Sequence, residues 1–562
     1  MKVSNWIQYT TAIGAASAFE CSPSAFTAVL PSNASVTFAY PLSDNSTFQV
    51  PAGNLPYRVN PTGLRALCAL EIRQPSSGNS SYSFGLFLPT EWNGRFLAVG
   101  NGGFGGGINW ADMGVGVGYG FATISTDTGH NSSALDATWA YSAPEKVEDW
   151  GYRALHGSIV LAKEVVSAYY GKDPAYNYYS GCSTGGRQGF KEAQEFPDDF
   201  DGIVAGAPAW WTTHLQLWNM KVGIDNLPQD APHHIPRELF PVIADEVLKQ
   251  CDPQDGLVDT VISDPTRCNF NPEALLCPAN VTNGTAGGCL TVPQIGTLYR
   301  LHNLWYEATQ TLIFPSFELG SEAEWGLLVG SPEPATLGTD YVKYMLGEGP
   351  EWRWQDFNAS VIAFSDRINP GNATADNFDL SPFYERGGKL LHYHGLSDGS
   401  IATGASLYFY NQVLKTLEPN GIELDPWYRM FLVPGLQHCL GTPPNMNAPW
   451  YFAGPNQARR LGSSAYGVPG FFDAEHDVLL AMMAWVENGT APDQIIATKW
   501  ENDTLHDTVE RQRPICAYPK QAMYSGRGMW TGRRVGGVRV CIEPRYEEKK
   551  RQQKGSSFSA AF

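Results

Sequence analysis

Short apolar runs alternate along this chain with longer stretches in which apolar residues recur at helical spacing. The clearest helical stretch is Asp149–Tyr170, which carries one apolar stripe. Further helices are predicted over residues 187–196, 404–417 and 472–488, and strands over residues 83–88, 95–99, 121–125, 176–180, 200–205, 389–394, 428–433 and 495–500. Strands that alternate with helices in this way predict an α/β fold.

The alternation stops between residues 209 and 385. Two strand–helix units need about 60 to 80 residues at roughly 30 or more residues each, and the chain between the strands at 200–205 and 389–394 is far longer. We therefore expect a catalytic domain formed by residues 19–208 and 386–530, with an inserted lid domain at 209–385. The aromatic residues of the insertion can line a pocket or fill its core, and both interpretations stay open: Trp210, Trp211, Trp218, Trp305, Trp325, Trp352 and Trp354.

A candidate nucleophile lies between one predicted strand and one predicted helix. Gly181, Ser183 and Gly185 form the pattern G-x-S-x-G, preceded by an aromatic strand and followed by a helix. This context turns a pattern that is common by chance into a nucleophile elbow, in which the serine hydroxyl stands clear of the backbone. Glycine at the two flanking positions lets the sharp turn close without Cβ clashes.

A serine nucleophile needs a histidine base and a carboxylate that orients the base. Asp398 follows the predicted strand at 389–394, and His438 follows the strand at 428–433. The order serine, acid, histidine is that of the α/β-hydrolase fold. The sequence therefore predicts an α/β-hydrolase with a large inserted lid domain, and a triad of Ser183, Asp398 and His438.

Two cysteines lie directly beside the predicted nucleophile and base. Cys182 precedes Ser183, and Cys439 follows His438. If the serine and the histidine are hydrogen-bonded, their chain neighbours lie within the Cα separation of a disulfide, about 4.4–6.8 Å. A Cys182–Cys439 bridge would hold nucleophile and base together; the alternative is two unrelated structural cysteines.

A glycine-rich loop, Gly100–Gly107, follows the predicted strand at 95–99. It lacks the Gly-Lys-Ser/Thr sequence and the G-x-G-x-x-G pattern of phosphate-binding loops. Esterases use a similar loop to supply a backbone N–H to the oxyanion of the reaction. We expect Gly103 or Gly102 to donate beside the N–H of Thr184, with Gly103 as the first choice.

Together these motifs resemble the fungal tannase and feruloyl esterase family. The resemblance is carried by Gly181-Cys182-Ser183-Thr184-Gly185-Gly186-Arg187-Gln188, by His394-Gly395-x-x-Asp398 and by Pro434-Gly435-x-x-His438-Cys439, and it covers roughly residues 20 to 530. It implies a secreted serine carboxylic ester hydrolase that acts on feruloyl, hydroxycinnamoyl or galloyl esters, as small molecules or linked to polysaccharide. The alternatives are a general esterase for small acetyl or alkyl esters and a catalytically silent binding protein on a hydrolase fold.

The resemblance extends to a calcium loop in the insertion. Asp252, Asp255 and Asp259 would bind the ion through side chains, and Leu257 and Val261 through backbone carbonyls, in a structural role. Spacing alone would favour an acidic surface turn. Cys251–Cys268 and Cys277–Cys289 are expected as local bridges, and the family implies a Cys21–Cys68 bridge. Cys541 can pair with Cys516, although the sequence around Cys541 departs from the family pattern.

The segment from Thr126 to His130 resembles another family motif. Asp127 and His130 can shape the substrate pocket or serve as turn residues, and the sequence leaves both interpretations open.

Composition bounds the remaining possibilities. The formal net charge of −18 argues against a nucleic-acid or anionic-membrane partner, and no run approaches 18 apolar residues. Ten cysteines, an even number, and ten N-x-S/T sequons favour an oxidising, secretory history. Residues 1–18 resemble a weak signal peptide that lacks a continuous apolar centre. Residues 531–562 form a basic tail that is predicted to be disordered.

Overall fold

A computed structural model of the protein describes residues 19–279, 281, 284–462, 464–524 and 539–542. The strands are β1 (Ser35–Leu42), β2 (Leu67–Pro75), β3 (Ser81–Pro89), β4 (Arg95–Val99), β5 (Ala122–Thr126), β6 (Tyr176–Cys182), β7 (Gly202–Gly206), β8 (Trp305–Tyr306), β9 (Leu312–Phe314), β10 (Lys389–Gly395), β11 (Tyr428–Val433), β12 (Gln494–Trp500), β13 (Val509–Cys516), β14 (Gln521–Tyr524) and β15 (Arg539–Ile542).

The helices begin and end as follows: α1 (Pro23–Thr27), α2 (Trp110–Gly118), α3 (Pro144–Glu148), α4 (Ala154–Tyr170), α5 (Thr184–Glu195), α6 (Thr212–Ile224), α7 (Phe240–Cys251), α8 (Gly284–Gly287), α9 (Val292–His302), α10 (Thr336–Asp340), α11 (Ala359–Ile368), α12 (Ser381–Glu385), α13 (Gly404–Leu417), α14 (Ala458–Leu461) and α15 (Val478–Asn488). A π-helical turn at Asp149–Arg153 leads directly into α4. None of the described helices is long and apolar enough to cross a membrane.

Nine strands form one mixed sheet in the order β1-β2-β3-β5-β4-β6-β7-β10-β11. The pairs among β1, β2, β3 and β5 are antiparallel, and every pair from β5 through β4, β6, β7 and β10 to β11 is parallel. The carboxyl ends of β6, β10 and β11 therefore lie at the same edge of the sheet, which is where ligands bind in open α/β sheets.

Helices cover both faces of this sheet. Successive residues of a strand point to opposite faces, so Tyr179 packs with helices α4, α5 and α13 in one core, and Tyr178 packs with α2 and α15 in the other. Both tyrosine side chains are buried. The strand that leads to Ser183 is thus held by apolar packing on its two sides.

The insertion (residues 209–385) lies outside the nine-stranded sheet and carries α6 to α12 with the hairpin β8–β9. Its two apolar cores include side chains from the sheet domain: Ala405 and Met446 join one, and Phe104 and Trp150 join the other. Among its tryptophans, Trp210, Trp218 and Trp325 are at most 2% exposed. These three fill cores and do not line an open pocket.

One predicted element differs from the structure. The helix expected at 472–488 begins only at Val478, because the Asp477 side chain caps it by accepting the backbone N–H groups of Leu479 and Leu480 at 2.8 and 3.2 Å. The strand expected at 495–500 is confirmed as β12, which pairs with β13 in a separate two-stranded sheet. Its apolar pattern indicated a strand and did not specify the partner.

The predicted disordered tail also needs a partial correction. Residues 539–542 form β15, which pairs with β14, and the Cys516–Cys541 disulfide ties this strand to β13. That covalent link explains why a basic segment takes part in a sheet. Residues 531–538 and 543–562 of the predicted tail, and the predicted signal segment 1–18, lie outside the described residues.

Candidate active site

Ser183 occupies the sharp turn between β6 and α5. Its backbone has φ 65° and ψ −123°, a conformation that a non-glycine residue adopts only when the surroundings impose it. Its N–H donates to the Gly206 carbonyl, and its carbonyl accepts the N–H groups of Arg187 and Ala209, each at 3.0 Å. The strained turn is therefore fixed by the end of β7 and the start of the insertion.

Two glycines around Ser183, Gly181 of the pattern and Gly186 after it, are required by close approach of backbone. A Cβ on Gly181 would lie 2.6 Å from the Gly185 carbonyl oxygen, and a Cβ on Gly186 would lie 2.3 Å from the Gly206 oxygen. Any side chain at these positions would force the elbow open.

Asp398 lies in the loop after β10 and is fully buried. One carboxylate oxygen accepts the backbone N–H groups of Ser400 and Ile401 at 2.8 Å. The other accepts from His438 Nδ1 at 2.8 Å and from His394 Nε2 at 3.1 Å. Burial alone would raise the pKa of Asp398, but the charge and hydrogen bonds of His438 and His394 hold it well below its usual range. Asp398 is thus an ionised carboxylate in the interior.

His438 follows β11 and faces Asp398 through Nδ1. Burial alone would lower the pKa of His438, and the neighbouring Asp398 carboxylate more than compensates, so the net shift is upward. Because Nδ1 donates its hydrogen to the carboxylate, the neutral ring keeps Nε2 as its free basic atom. This is the arrangement of an acid and a base in a hydrolytic triad.

The disulfide between Cys182 and Cys439 forms, with a Cα–Cα distance of 6.1 Å. It joins the residue before Ser183 to the residue after His438, across 257 positions of sequence. The other four expected pairs also form: Cys21–Cys68, Cys251–Cys268, Cys277–Cys289 and Cys516–Cys541. The structure thus brings the elbow and the base loop together by a covalent bond.

The glycine-rich loop lies against the first turn of α5. The Thr184 hydroxyl donates to the Gly103 carbonyl at 2.9 Å, and Asn101 and Gln188 exchange two hydrogen bonds at 2.9 and 3.1 Å. The Tyr57 hydroxyl oxygen lies beside Gly102, 3.7 Å from where a Cβ on that glycine would be. Within the described chain the Gly103 N–H donates to no backbone carbonyl. The Thr184 N–H lies in the first turn of α5, where backbone N–H groups have no acceptor within the helix.

Asp127 and His130 lie next to the glycine-rich loop. The Asp127 carboxylate accepts the N–H groups of Ser83 and Gly129 at 2.8 Å, and the His130 carbonyl accepts the Gly107 N–H at 2.8 Å. Burial raises the pKa of Asp127 to about 7 and lowers that of His130 to about 3. These contacts support the interpretation of both as turn residues.

The sequence interpretation missed a chain of buried side chains behind Asp398. His394 Nε2 faces only acceptors, the Asp398 carboxylate and the Ile401 carbonyl at 3.1 Å, so it carries a proton. Ser406 Oγ lies 2.6 Å from His394 Nδ1 and 2.7 Å from His392 Nε2. His392 Nδ1 lies 3.0 Å from the Tyr428 hydroxyl. The sequence pattern that could have indicated this chain is the pair of histidines on one face of β10, close to the acid.

In the loop expected to bind calcium, two of the predicted carboxylates accept backbone N–H groups of the loop itself. Asp252 accepts the backbone N–H groups of Asp259, Thr260 and Val261 at 3.0, 3.0 and 3.4 Å, and Asp255 accepts that of Leu257 at 2.9 Å. Burial raises the pKa of Asp252, and the nearby charge of Asp259 raises it further. An acidic set of oxygen donors fits the chemistry of a hard cation.

One group of described residues has the spacing of metal ligands. Ligand atoms of His156, Glu192 and Asp199 lie within 4.8 Å of one another. Lys163, however, donates to the Asp199 carbonyl and lies 3.6 Å from its carboxylate, so an ammonium already supplies positive charge there. We assign no metal to this group.

The fold and these side chains define a hydrolase of the α/β-hydrolase class. The tannase and feruloyl esterase family model matches residues 69–329 and 356–532. A probable feruloyl esterase B-1 of Aspergillus oryzae is 35% identical over 499 residues, covering 87% of this chain and 88% of that protein. A probable feruloyl esterase B of Emericella nidulans is 33% identical over 471 residues, covering 83% and 84%.

The chain therefore belongs to the tannase and feruloyl esterase family and is a carboxylic ester hydrolase. The crystal structure of feruloyl esterase B from Aspergillus oryzae superposes with a TM-score of 0.82 at 34% identity, covering 91% of this chain and 97% of that one. Tannin acyl hydrolase from Aspergillus niger shares the fold, with a TM-score of 0.70 at 23% identity, covering 93% and 95%.

Replacing both Cys182 and Cys439 by alanine should lower kcat/KM for para-nitrophenyl acetate about 10- to 100-fold, because small displacements of a reacting pair have effects of this size. The thermal unfolding temperature should also fall, since the bridge closes a loop of 257 positions. The matched control replaces Cys277 and Cys289, whose bridge spans 12 positions within the insertion, and should keep wild-type kcat/KM. Equal activity of the two double variants would show that the bridge does not hold the site.

Proposed function

We propose that the protein hydrolyses phenolic carboxylic esters through an acyl-enzyme on Ser183. The observation that carries the proposal is the Asp398–His438 hydrogen bond of 2.8 Å, joined to the elbow by the Cys182–Cys439 bridge. The names of the relatives, feruloyl esterases, support a hydroxycinnamoyl acyl group. The likeness to tannin acyl hydrolase is one of fold, and galloyl esters are included because the family model covers both activities.

In this mechanism Ser183 Oγ attacks the ester carbonyl while His438 Nε2 takes the hydroxyl proton. His438 then passes the proton to the leaving alcohol, which departs as a neutral hydroxyl whether it is a small alcohol or a sugar of a polysaccharide. Water, deprotonated by the same nitrogen, releases the acid. Asp398 keeps the ring oriented and stabilises its cation in both half-reactions.

The negative oxygen of each tetrahedral intermediate needs donors that are not already used. We take the Thr184 N–H as one and the Gly103 N–H as the second, because Gly103 is the residue of the glycine-rich loop that contacts Thr184. The Thr184 hydroxyl donates to the Gly103 carbonyl and so holds this residue beside the elbow. Losing one such donor typically costs about 100- to 1,000-fold in kcat.

The insertion (residues 209–385) acts as a lid in this proposal. Three side chains of α5 donate hydrogen bonds to backbone carbonyls near the C-terminal end of the insertion. The pairs are Arg187 to Ala373 at 3.1 Å, Lys191 to Thr374 at 3.1 Å and Gln194 to Ala375 at 3.0 Å. The lid is therefore fastened to the helix that starts at the nucleophile. Secretion is part of the proposal and is supported by five disulfides in one chain.

Hydrolysis of methyl ferulate, methyl gallate and para-nitrophenyl acetate tests this function. The wild-type protein should turn over at least one of the two phenolic esters, and Ser183→Ala should remain folded and lose at least about 1,000-fold in kcat, since the covalent step is removed. Turnover of the acetate alone would instead identify a general esterase. A folded wild-type protein that hydrolyses none of the three would contradict the proposal and favour a binding protein.

We also infer that the loop at 252–261 binds Ca²⁺ in a structural role. Asp252, Asp255 and Asp259 would supply carboxylates, and Leu257 and Val261 backbone carbonyls. The ion would offset the negative charge of the loop, which the Cys251–Cys268 bridge closes. Arg511, from β13, donates to the Asp259 carbonyl at 2.7 Å and so connects the loop to the C-terminal sheet.

Calcium at millimolar concentration should raise the thermal unfolding temperature of chelator-treated protein by roughly 2 °C or more, as expected for a ligand that binds only the folded state. Asp255→Asn should abolish this rise. Asp264→Asn, which changes an aspartate just outside the loop, should retain it. An unfolding temperature that does not respond to calcium in the wild-type protein would refute the site.

A further inference from the structure

One carboxylate of the insertion lies between the two loops that carry Asp398 and His438. Glu324 Oε2 accepts the backbone N–H of Gly399 at 2.8 Å and that of His438 at 3.1 Å. Its Oε1 lies 3.4 Å from the same His438 nitrogen. Gly399 directly follows Asp398, so a single side chain links the backbone of the acid loop to the backbone of the base.

The segment that presents Glu324 is packed tightly on the acid loop. A Cβ on Gly399 would lie 2.7 Å from the Glu324 Cβ and 3.1 Å from the Ser321 carbonyl oxygen. The Glu324 N–H donates to that carbonyl at 2.9 Å. The fully buried Trp325 donates from its indole nitrogen to the Ser321 hydroxyl at 3.1 Å. The position of the carboxylate is therefore set by the fold of the insertion.

When it is ionised, Glu324 also adds a second negative charge beside the base. The charged groups that face it are Asp398 and His438, and Arg459 of α14 acts on His438 in the opposite sense. Burial, followed by the charge of Asp398, raises the pKa of Glu324 to about 7, while His438 and the two N–H donors oppose this rise. After Asp398, Glu324 is the next charge that favours the protonated form of His438.

We propose that Glu324 is a positioning residue of the triad, whose carboxylate fixes the acid and base loops relative to each other and whose charge stabilises the His438 imidazolium. This inference rests on the proposed function, because an imidazolium forms in each acyl-transfer step. It assigns to the insertion a part in catalysis that does not depend on contact with substrate.

Glu324→Gln separates the two contributions, since it keeps an oxygen acceptor and removes the charge. His438 must be neutral to act as a base, so kcat/KM falls as the pH drops through the pKa of His438 in the free enzyme. Without the Glu324 charge that pKa is lower, and the acid limb of the profile should move to lower pH by up to about one unit, since Glu324, with its own pKa raised to about 7, is partly ionised over that limb. The plateau value should fall about three- to tenfold.

Two further variants complete the test. Glu324→Ala removes both hydrogen bonds and the charge, and should lose more kcat than Glu324→Gln at every pH. Glu322→Gln is the matched control: this buried glutamate, two residues earlier, accepts the Gly320 N–H and lies 3.5 Å from His302. It should leave the acid limb where it is in the wild-type protein. A Glu324→Gln profile that coincides with the wild type would overturn the proposal.

A readout independent of turnover separates this proposal from the proposed function. In protein labelled with ¹³C-histidine, the His438 ring signal, assigned with His438→Gln, gives its pKa in the Ser183→Ala background. Adding Glu324→Gln should lower that pKa by up to about one unit whether or not any ester is hydrolysed. An unchanged His438 pKa would contradict the role of Glu324, even in a protein that proves to be an active phenolic esterase.

Discussion

A carboxylate buried without solvent costs several kcal/mol unless donors surround it, and the arrangement of this site follows from how Asp398 is compensated. Its oxygens receive two N–H groups from their own loop, one ring nitrogen from β10 and one from the loop after β11. The buried negative charge of Asp398 is stabilised only when all the segments that carry these donors are folded around it. The ionised acid thereby ties the orientation of His438 to correct packing of the sheet edge.

Further contacts on two sides of Asp398 help to position it and His438. Behind the acid, His394, Ser406 and His392 form a buried chain that ends at Tyr428 of β11, so the sheet interior orients the acid's partners. In front, the insertion supplies Glu324 to the backbone of both loops. The Cys182–Cys439 bridge then joins this assembly to the strained Ser183 turn. The geometry of the proposed triad thus depends on the sheet, the insertion and one covalent bond.

The parts of this site that the sequence predicted are those with a local signal. G-x-S-x-G between a strand and a helix located the elbow, and the strand-end positions of Asp398 and His438 followed from the common edge of parallel strands. Glu324 had no such signal, because its partners lie 75 and 114 positions away and meet it only after the insertion folds. Likewise, the pattern of residues 495–500 indicated a strand but not its pairing with β13, which depends on distant chain.

The most direct test of the central claim is to find the covalent intermediate. The protein is mixed with methyl ferulate, quenched in acid within milliseconds to seconds, digested and examined by mass spectrometry. The account predicts a feruloyl group on the peptide that contains Ser183, absent from His438→Ala protein treated in the same way. Steady turnover with no acyl group on that peptide, or with the group on another residue, would contradict an acyl-enzyme at Ser183.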